Sequence, residues 1–262
     1  MPRGIHGQQP ARQDSAGHRR QPGHRAGHRA APGRGRSQWS TCNYATNESA
    51  AKETVALIEE AGGRAFAVRS QLGTQDSIQK LLSAVEAGLA EHTGGTTLDI
   101  LVNNAAATGF AGTAPEAVTE EILDHCYTLN AKVPFLLTQQ ALRLIPDGGR
   151  VVNISSGVTH AAFPPQIAYA MGKGALEQIT LHLAPVLAHR NITVNTVAAG
   201  ITDTGDPVFS NPEAVEAMSA QSAFKRVGTV SEVADIVAFV ASGDARWMTG
   251  AFVDATGGTL LG

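Results

Sequence analysis

The stretch LDILVNNAA, from Leu98 to Ala106, is an almost wholly apolar run with the length of a β-strand. Such a run is typical of a strand that other elements cover on both faces, as in a parallel sheet. The segments on either side of it, Thr74–His92 and Glu120–Ile145, have apolar residues at helical spacing. We therefore predict that Leu98–Ala106 is a buried strand between two amphipathic helices.

The chain from Asn43 to Gly262 continues the same alternation of strands and helices. Because such alternation produces a doubly wound parallel sheet, we predict a three-layer α/β/α domain of the Rossmann type. Functional residues of such a sheet lie just past the carboxyl ends of its strands. The further predicted strands are Arg64–Ser70, Gly149–Ser156, Ile192–Gly200 and Ala251–Ala255, and the further predicted helices are Glu48–Gly63, Ala168–Ala188 and segments within Pro212–Gln221 and Val230–Ala241.

Charge divides the chain into two unlike parts. Residues 1–41 contain eight arginines and a single acid, Asp14, whereas the rest contains 12 basic and 22 acidic side chains. An acidic body argues against nucleic acid as the main partner, because phosphate binding requires clustered Lys and Arg. The sequence has neither a bilayer-length apolar run nor the apolar core of a secretory signal. Since Cys42 and Cys126 give no disulfide framework, we predict a cytoplasmic protein without a membrane partner.

Three side chains have the chemistry and spacing of a proton-transfer site. Tyr169 and Lys173 are four residues apart near the start of a predicted helix, so they share one face of it. Ser156 ends a predicted strand 13 residues before the tyrosine. A neighbouring ammonium favours the phenolate and lowers a tyrosine pKa, which suits Tyr169 to proton transfer. The alternative is an ordinary pair on a helix surface, after a strand that merely ends in serine.

The order of these residues resembles the classical short-chain dehydrogenase/reductase family, especially its members similar to 3-oxoacyl-acyl carrier protein reductase. That family has an Asn-Asn-Ala-Gly strand end, a helix asparagine, a serine and a Tyr-x-x-x-Lys pair. The resemblance covers Asn43–Gly262. The matching segments are NNAA (Asn103–Ala106), Asn130, NISS (Asn153–Ser156), YAMGK (Tyr169–Lys173) and the C-terminal stretches Arg226–Ser242 and Met248–Gly258.

The resemblance implies hydride transfer between a nicotinamide cofactor and a small-molecule carbonyl or alcohol substrate. It implies that Tyr169 is the general acid/base and that Lys173 lowers the tyrosine pKa while binding the nicotinamide ribose. It further implies that Ser156 orients the substrate oxygen and that Asn130 holds a water molecule of the proton relay. The other implied cofactor contacts are Asn103 in the cofactor groove, Gln71 at the adenine, and Thr202 and Thr204 at the carboxamide and phosphates.

The segment before Asn43 departs from the family pattern. The family's first strand and its glycine-rich turn, which receives the cofactor pyrophosphate at a helix N-terminus, are absent from residues 1–42 as printed. Instead, GHRRQPGHRAGHR runs from Gly17 to Arg29 without an apolar period. Three interpretations compete: a metal-binding or nucleic-acid-binding tail, a disordered leader, and a segment translated from a shifted reading frame. The spacing of His18, His24 and His28 matches no standard ligand set, so we predict no metal site.

The shifted-frame interpretation accounts for the histidines. Permitted codons for Gly17–Arg29, read from the second base, give Val-Thr-Gly-Ala-Ser-Arg-Gly-Ile-Gly-Arg-Ala-Ile-Ala, which resembles the family's phosphate-binding turn. We therefore interpret residues 1–42 as an aberrant or disordered leader in place of the first strand and helix, and residues 43–262 as a single domain. If the printed residues are real, we expect cofactor affinity to be weakened or lost.

The choice of cofactor depends on the residues after the first unit. NAD specificity commonly uses an acidic residue about 20 residues after the glycine turn, whereas Asn43–Ser49 contains no acid before Glu48. We predict NADP, with NAD as the alternative. The resulting hypothesis is an NADPH-dependent reductase of a ketone or β-ketoacyl carbonyl, and the resemblance implies a homodimer or homotetramer. The alternative from another class is a catalytically inactive member of the fold that acts as a binding or structural protein.

Overall fold

The computed structural model describes residues 39–108 and 113–261. The leader up to residue 38, with the three histidines considered above, lies outside the described residues. The first described strand starts at Trp39, so the sequence-derived boundary at Asn43 falls inside a strand. Within the described residues the strands are β1 (Trp39–Tyr44), β2 (Arg64–Arg69), β3 (Ile100–Asn103), β4 (Arg150–Ser156), β5 (Thr193–Ala199), β6 (Thr202–Asp203), β7 (Gly228–Thr229) and β8 (Phe252–Ala255). The α-helices are α1 (Glu48–Glu60), α2 (Ser77–Thr93), α3 (Glu120–Tyr127), α4 (Val133–Ala141), α5 (Ile167–Leu187), α6 (Pro212–Ala220) and α7 (Val230–Ala241).

The strands form three groups, all with parallel pairing. The largest is a four-stranded sheet in the order β3, β4, β5, β8, in which Asn103 pairs with Asn153 and Ser156 pairs with Ala199. Strands β1 and β2 form a second sheet, and the short β6 and β7 form a third. Parallel strands joined by helices confirm the predicted α/β class.

Helices α2, α4 and α5 cover one face of the sheets. Val68 of β2, Val151 of β4 and Val194 of β5 belong to one buried apolar cluster on this face. Helix α2 contributes the largest share of that cluster, with Ile78, Leu81, Leu82, Val85 and Leu89. Because the cluster contains side chains from both the two-stranded and the four-stranded sheet, α2 ties the two sheets together.

The opposite face carries α1 and α7. Val240 of α7 packs on Val152 of β4 and Val197 of β5, which point away from the first face because side chains alternate along a strand. Helix α1 lies against β1 and β2. Val240 is the one buried residue of α7, and Ala51 is the one buried residue of α1. The described helices of this face therefore bury fewer of their own residues than those of the other face.

Two predicted elements differ from the structure in their extent. The predicted helix Glu120–Ile145 consists of α3, a π-helical segment from Thr128 to Lys132, and α4. Pro134 has no amide hydrogen to donate to the carbonyl of Asn130 four residues earlier, and the π-helical segment lies just before it. The predicted strand Leu98–Ala106 pairs only over β3. No helix in the described part of the chain combines the length and the apolar character needed to cross a membrane.

Candidate active site

Buried amide side chains connect β3 and β4 near the edge where their carboxyl ends lie. Asn103 ends β3, and its Nδ2 donates to Oδ1 of Asn153 at 2.8 Å and to Oγ1 of Thr138 at 3.0 Å. Asn153 in turn donates through Nδ2 to Oγ1 of Thr180 on α5 at 2.8 Å. Hydrogen bonds between uncharged side chains are stronger in a low-dielectric interior than in water. The network therefore holds α4 and α5 in register with the strands.

Ser156 and Tyr169 approach each other at the end of β4. Ser156 is the last residue of that strand, and Tyr169 lies in the first turn of α5. Both side chains are half-buried. A hydrogen bond between them is one of the influences on the pKa of Tyr169, so the structure brings together two residues that the sequence placed 13 positions apart.

Lys173 lies one helical turn after Tyr169 and is almost fully buried, with 2% of its surface exposed. Its Nζ donates to the carbonyl oxygen of Ile154 in β4 at 2.6 Å and lies 5.6 Å from the centroid of the Tyr169 ring. Burial lowers the pKa of Lys173 to about 8, and the carboxylate of Glu177 partly opposes that shift. The ammonium is thus held by a backbone carbonyl beneath the phenol ring.

The pKa of Tyr169 lies above its ordinary value. Burial is the main cause, and the hydrogen bond with Ser156 opposes it. Lys173 is not among the causes of the shift, so the expected lowering of the tyrosine pKa by the lysine stays a prediction. A raised pKa keeps the phenol protonated at neutral pH, which suits a proton donor.

Asn130 occupies the π-helical segment between α3 and α4 and is fully buried. Its Oδ1 accepts a hydrogen bond from the amide of Ala107 at 2.9 Å. Its Nδ2 is buried without a partner among the described residues. A buried amide donor of this kind requires a partner such as an ordered water, because leaving it unpaired costs about 1–3 kcal/mol.

Gly172 allows α5 to approach the Asn130 segment closely. A Cβ atom at this position would lie 2.9 Å from the carbonyl oxygen of Cys126 and 3.0 Å from Cβ of Asn130. Both distances are shorter than ordinary contacts between side chains and backbone. The glycine, one residue before Lys173, therefore sets the distance between the Tyr169 helix and the asparagine.

The remaining predicted cofactor residues lie at or beyond strand ends. Gln71 follows β2 with an exposed side chain. Thr202 starts β6, and its Oγ1 donates to the carbonyl oxygen of Gly200 at 3.1 Å. Thr204 follows β6 and is exposed. Thr202 also lines a cavity of about 300 Å³ with Ile201, Phe224 and Arg226.

The described residues fit the nicotinamide half of a dinucleotide better than the phosphate half. Oδ1 of Asn103 and Nδ2 of Asn130 are buried polar atoms without described partners, and Lys173 supplies a buried ammonium against β4. A pyrophosphate instead requires a glycine-rich turn that leads from a strand directly into a helix. None of the described helices begins in that way.

Glu177 is a residue of this region that the sequence reasoning missed. Its Oε1 accepts hydrogen bonds from Ser155 Oγ at 2.6 Å and from Thr159 Oγ1 at 2.7 Å, and its Oε2 lies 3.3 Å from Nε2 of His160. It therefore ties the residues on both sides of Ser156 to α5. The available signal was its position four residues after Lys173, on the same helix face.

Comparison with known proteins identifies the family. The family described as Enoyl-(Acyl carrier protein) reductase matches residues 39–259, so the match starts at the first residue of β1. An uncharacterized oxidoreductase of Methylorubrum extorquens is 37% identical over 219 residues, which cover 82% of this chain and 85% of that relative. The chain belongs to the short-chain dehydrogenase/reductase family and is an oxidoreductase.

Two solved structures are more similar still. One is LugOII, described as a promiscuous reductase that catalyses keto-reduction at C1 during lugdunomycin biosynthesis; it is 60% identical, with a TM-score of 0.84, and the match covers 85% of this chain and 88% of LugOII. The other is LanV, described as an angucycline C-6 ketoreductase with bound NADP; it is 52% identical, with a TM-score of 0.81 and coverage of 84% and 85%. A further structure of LanV holds NADP and rabelomycin. These similarities confirm the Rossmann-type three-layer fold.

Proposed function

We propose that this protein reduces a ketone to a secondary alcohol with NADPH. The observation that carries this proposal is the approach of Ser156, Tyr169 and buried Lys173 at the end of β4. The similarity to two ketoreductases, one of them solved with NADP, supports both the reaction and the cofactor.

Each residue of the site has a role in this proposal. NADPH, when bound, supplies the hydride for the carbonyl carbon. Tyr169 donates its phenolic proton to the carbonyl oxygen, which Ser156 holds by a hydrogen bond. Lys173 binds the nicotinamide ribose and supports the tyrosine electrostatically, and Asn130 holds the water through which the proton is replaced.

The other cofactor contacts are proposed in the same way. Asn103 borders the nicotinamide groove, and Gln71 meets the adenine. Thr202 and Thr204 contact the carboxamide and the phosphates. The buried, unpartnered Oδ1 of Asn103 and the position of Thr202 in the cavity support these assignments.

We further propose a polycyclic aromatic ketone of the angucycline type as the substrate. LugOII, at 60% identity, is described by keto-reduction during lugdunomycin biosynthesis, and LanV, at 52% identity, is described as an angucycline C-6 ketoreductase. The cavity beside Thr202 has apolar walls from Ile201 and Phe224, and Phe224 is 71% exposed. An exposed aromatic ring at its border favours a large flat ligand, since ring stacking adds about 0.5–1.5 kcal/mol to area burial.

Location and assembly belong to the same proposal. We place the enzyme in the cytoplasm as a homodimer or homotetramer, with residues 43–262 as one domain and a leader that does not contribute a normal first unit. The absence of a disulfide framework in the sequence supports the location.

The test is NADPH oxidation by the purified full chain with rabelomycin and a panel of simpler ketones and β-ketoacyl compounds. Replacement Tyr169→Phe should lower kcat/KM by about 1,000-fold, because it removes the proton donor. Tyr127→Phe is the matched control, since Tyr127 is 57% exposed and lies on α3. An unchanged rate in Tyr169→Phe would refute the proposed role.

The second candidate function is a catalytically inactive binding or structural protein. It is favoured by the lack, among the described helices, of one that follows a strand through a glycine-rich turn. Equilibrium binding of NADPH to the folded full chain separates the two functions. Intact folding without NADPH binding would favour the second candidate.

A further inference from the structure

Another cavity lies at the edge of the sheet where β4 and β5 begin. Its volume is about 550 Å³. The residues that line it are Gly148, Arg150, Asn191, Asp244, Arg246 and Trp247. Strand β4 runs from Arg150 at this edge to Ser156 at the opposite edge. At about 3.3 Å per residue the two ends are about 20 Å apart, so the cavity is separate from the site at Ser156.

The guanidinium of Arg150 borders this cavity without a counter-charge. Its Nη1 donates to the carbonyl oxygens of Gly148 and Gly149, and its Nε donates to the carbonyl oxygen of Ser242 at 3.4 Å. These acceptors are uncharged, and no described carboxylate forms an ion pair with Arg150. Burial lowers the pKa of Arg150, because the half-buried cation has lost part of its hydration. An anion beside this guanidinium would replace the lost hydration.

Arg246 adds a second guanidinium to the same lining. Its Nη1 donates to the carbonyl oxygen of Gly243 at 3.1 Å, and the residue is exposed. No described carboxylate forms an ion pair with Arg246 either. Asp244 is the single acid among the described lining residues. Two arginines against one aspartate leave the lining with a net positive charge.

Trp247 places an aromatic ring at the border of this cavity. The residue is 97% exposed, although tryptophan side chains are on average highly buried. The segment that carries it is nevertheless attached to β5. Oγ1 of Thr249 accepts a hydrogen bond from the amide of Val194 at 3.1 Å. The buried Asn195 donates through Nδ2 to the carbonyl oxygen of Met248 at 2.8 Å. A segment with fixed backbone contacts thus presents the indole to solvent.

Thr193 shows independently that this edge of the sheet has unsatisfied polar groups. It is the register partner of Arg150. Its side chain points to the face of α7, because the next residue, Val194, belongs to the cluster on the other face. Oγ1 of Thr193 is buried and has no hydrogen-bond partner among the described residues. Since buried hydroxyls normally have a partner, the polar groups here exceed the partners that the described chain supplies.

We propose that this cavity, which we call the Arg150/Trp247 site, binds an aromatic carboxylate. The carboxylate accepts hydrogen bonds from the guanidinium groups of Arg150 and Arg246, whose fork geometry matches its two oxygens. The aromatic ring stacks on the indole of Trp247. The volume lies within the range of small-molecule sites, about 300–1,000 Å³. The proposal does not rest on the proposed function, because none of these residues has a part in ketone reduction.

The charges of the lining favour a carboxylate over a phosphate. A carboxylate carries a single negative charge, whereas a phosphate monoester carries nearly two at neutral pH. Asp244 lies in the same lining as the two arginines, so it repels a second negative charge on the ligand. Trp247 favours an anion that carries an aromatic ring, since inorganic phosphate offers nothing for the indole to contact.

The experiment is isothermal titration calorimetry of the purified full chain with three probes: a naphthalene carboxylate, the corresponding carboxamide, and inorganic phosphate. The carboxamide has the same shape as the carboxylate but no charge. We expect one carboxylate to bind per chain, at least about 10-fold more tightly than the carboxamide, because hydrogen bonds to charged groups are the stronger ones. The affinity for the carboxylate should fall as salt is added. Phosphate should bind more weakly than the carboxylate.

Substitutions locate the bound carboxylate. Arg246→Gln and Trp247→Ala should each weaken its binding by about 10-fold. Arg246→Lys should cost less than Arg246→Gln, because it keeps the charge and loses only the fork geometry. Lys80→Gln, which removes an exposed cation on α2, is the matched control and should leave the affinity unchanged. All three positions are exposed, so an unchanged melting temperature in each variant shows that the fold is intact.

Each contrary result has a distinct meaning. Equal affinity for the carboxylate and the carboxamide, binding of neither, or tighter binding of phosphate would overturn the proposal. Binding that Phe224→Ala weakens and Trp247→Ala does not would overturn it by placing the ligand in the cavity beside Thr202. Self-association in sedimentation that Trp247→Ala abolishes, without carboxylate binding, would overturn it in favour of a second copy of the chain seated on Trp247.

Discussion

The two faces of the sheet differ in how completely helices cover them. On the face of α2, α4 and α5, Val68, Val151 and Val194 are at most 7% exposed, whereas on the opposite face Ile100 and Val102 are at least 40% exposed. Tyr169 and Lys173, to which we assign proton transfer under the proposed function, lie on α5, which belongs to the covered face. Among the described residues, helices cover the face that carries Tyr169 and Lys173, whereas Ile100 and Val102 on the opposite face are left exposed.

The largest expected effect concerns the buried charge of Lys173, on the face that α2, α4 and α5 cover. Burial lowers the pKa of Lys173 from 10.5 to about 8, so the native protein releases this proton at lower pH than the unfolded chain. Between these values the unfolded chain binds more protons, and the free energy of unfolding rises with pH. From neutral pH to pH values above the pKa of Lys173 in the unfolded state, the free energy of unfolding should rise by about 3 kcal/mol more in the wild-type protein than in Lys173→Met.

Urea unfolding of the cofactor-free wild-type and Lys173→Met proteins across this pH window measures the rise in the free energy of unfolding. The contribution of Lys173 should be constant below about pH 8, where both states are protonated, and constant again above the unfolded pKa. A difference between the two proteins that does not vary with pH would mean that the ammonium is hydrated in the native state.

A second prediction compares the two faces directly on neighbouring strands. Val152 and Val102 are register partners on one face, but Val152 is fully buried and Val102 is 40% exposed. Val152→Ala should destabilise the protein by about 2–3 kcal/mol, because it removes buried surface and leaves a cavity. Val102→Ala should cost less than about 1 kcal/mol. Equal losses of unfolding free energy in chemical denaturation would show that Val102 is as well covered as Val152.

The third prediction concerns close packing on the covered face. Alanine at position 172 would bring Cβ within 3.0 Å of Cys126 and Asn130, so Gly172→Ala should destabilise by about 1–3 kcal/mol despite the helix preference of alanine. Gly174→Ala is the control, because no atom lies within 4 Å of its added Cβ. It should stabilise by up to about 1 kcal/mol. The decisive observation is a lower melting temperature in Gly172→Ala and a higher one in Gly174→Ala.

The smallest expected effect concerns Glu177. Glu177→Gln keeps hydrogen-bond acceptors for Ser155 and Thr159 but removes the charge that raises the pKa of Lys173. We expect kcat/KM for ketone reduction to fall about 5-fold, which corresponds to about 1 kcal/mol, mainly through kcat.

The pH profile distinguishes this positioning role from a loss of structure. In Glu177→Gln, the limb of the pH–rate profile that reflects the ionisation of Lys173 should move to lower pH. The reason is that Lys173 and the nearby His160 no longer face a carboxylate. A profile of unchanged shape, with only the amplitude reduced, would contradict the electrostatic part of the role.

Much of the fold followed from local pattern. The apolar run around β3 and the amphipathic helices on either side identified a parallel α/β sheet, because the period of apolar residues reflects which faces are buried. The positions of Ser156, Tyr169 and Lys173 followed from chain order and helix spacing. The roles of Ser156, Tyr169, Lys173 and Asn130, like the cofactor contacts, stay predictions that the kinetic experiments address.

Features that depend on contacts between distant segments did not follow from the sequence. The π-helical segment at Asn130 breaks a helix that the periodicity predicted as continuous, since its bonding depends on Pro134 and on the packing of Gly172. The short strands β6 and β7 contain two residues each, which is too few for a periodic signal. Glu177 acquires its importance only because Ser155 and Thr159 fold back onto α5.

The sequence by itself determined the class of the fold, the order of its elements and the residue types of a proton-transfer site, because these depend on side-chain period and on spacing along the chain. Only the tertiary structure decided that Lys173 is buried against Ile154, that Asn103 and Asn130 carry buried atoms without partners among the described residues, and that β1 pairs with β2 and β3 with β4. The physical reason is that burial, pKa and strand pairing arise from which distant segments meet in space. A linear pattern records the preferences of each segment but not the partner against which it packs.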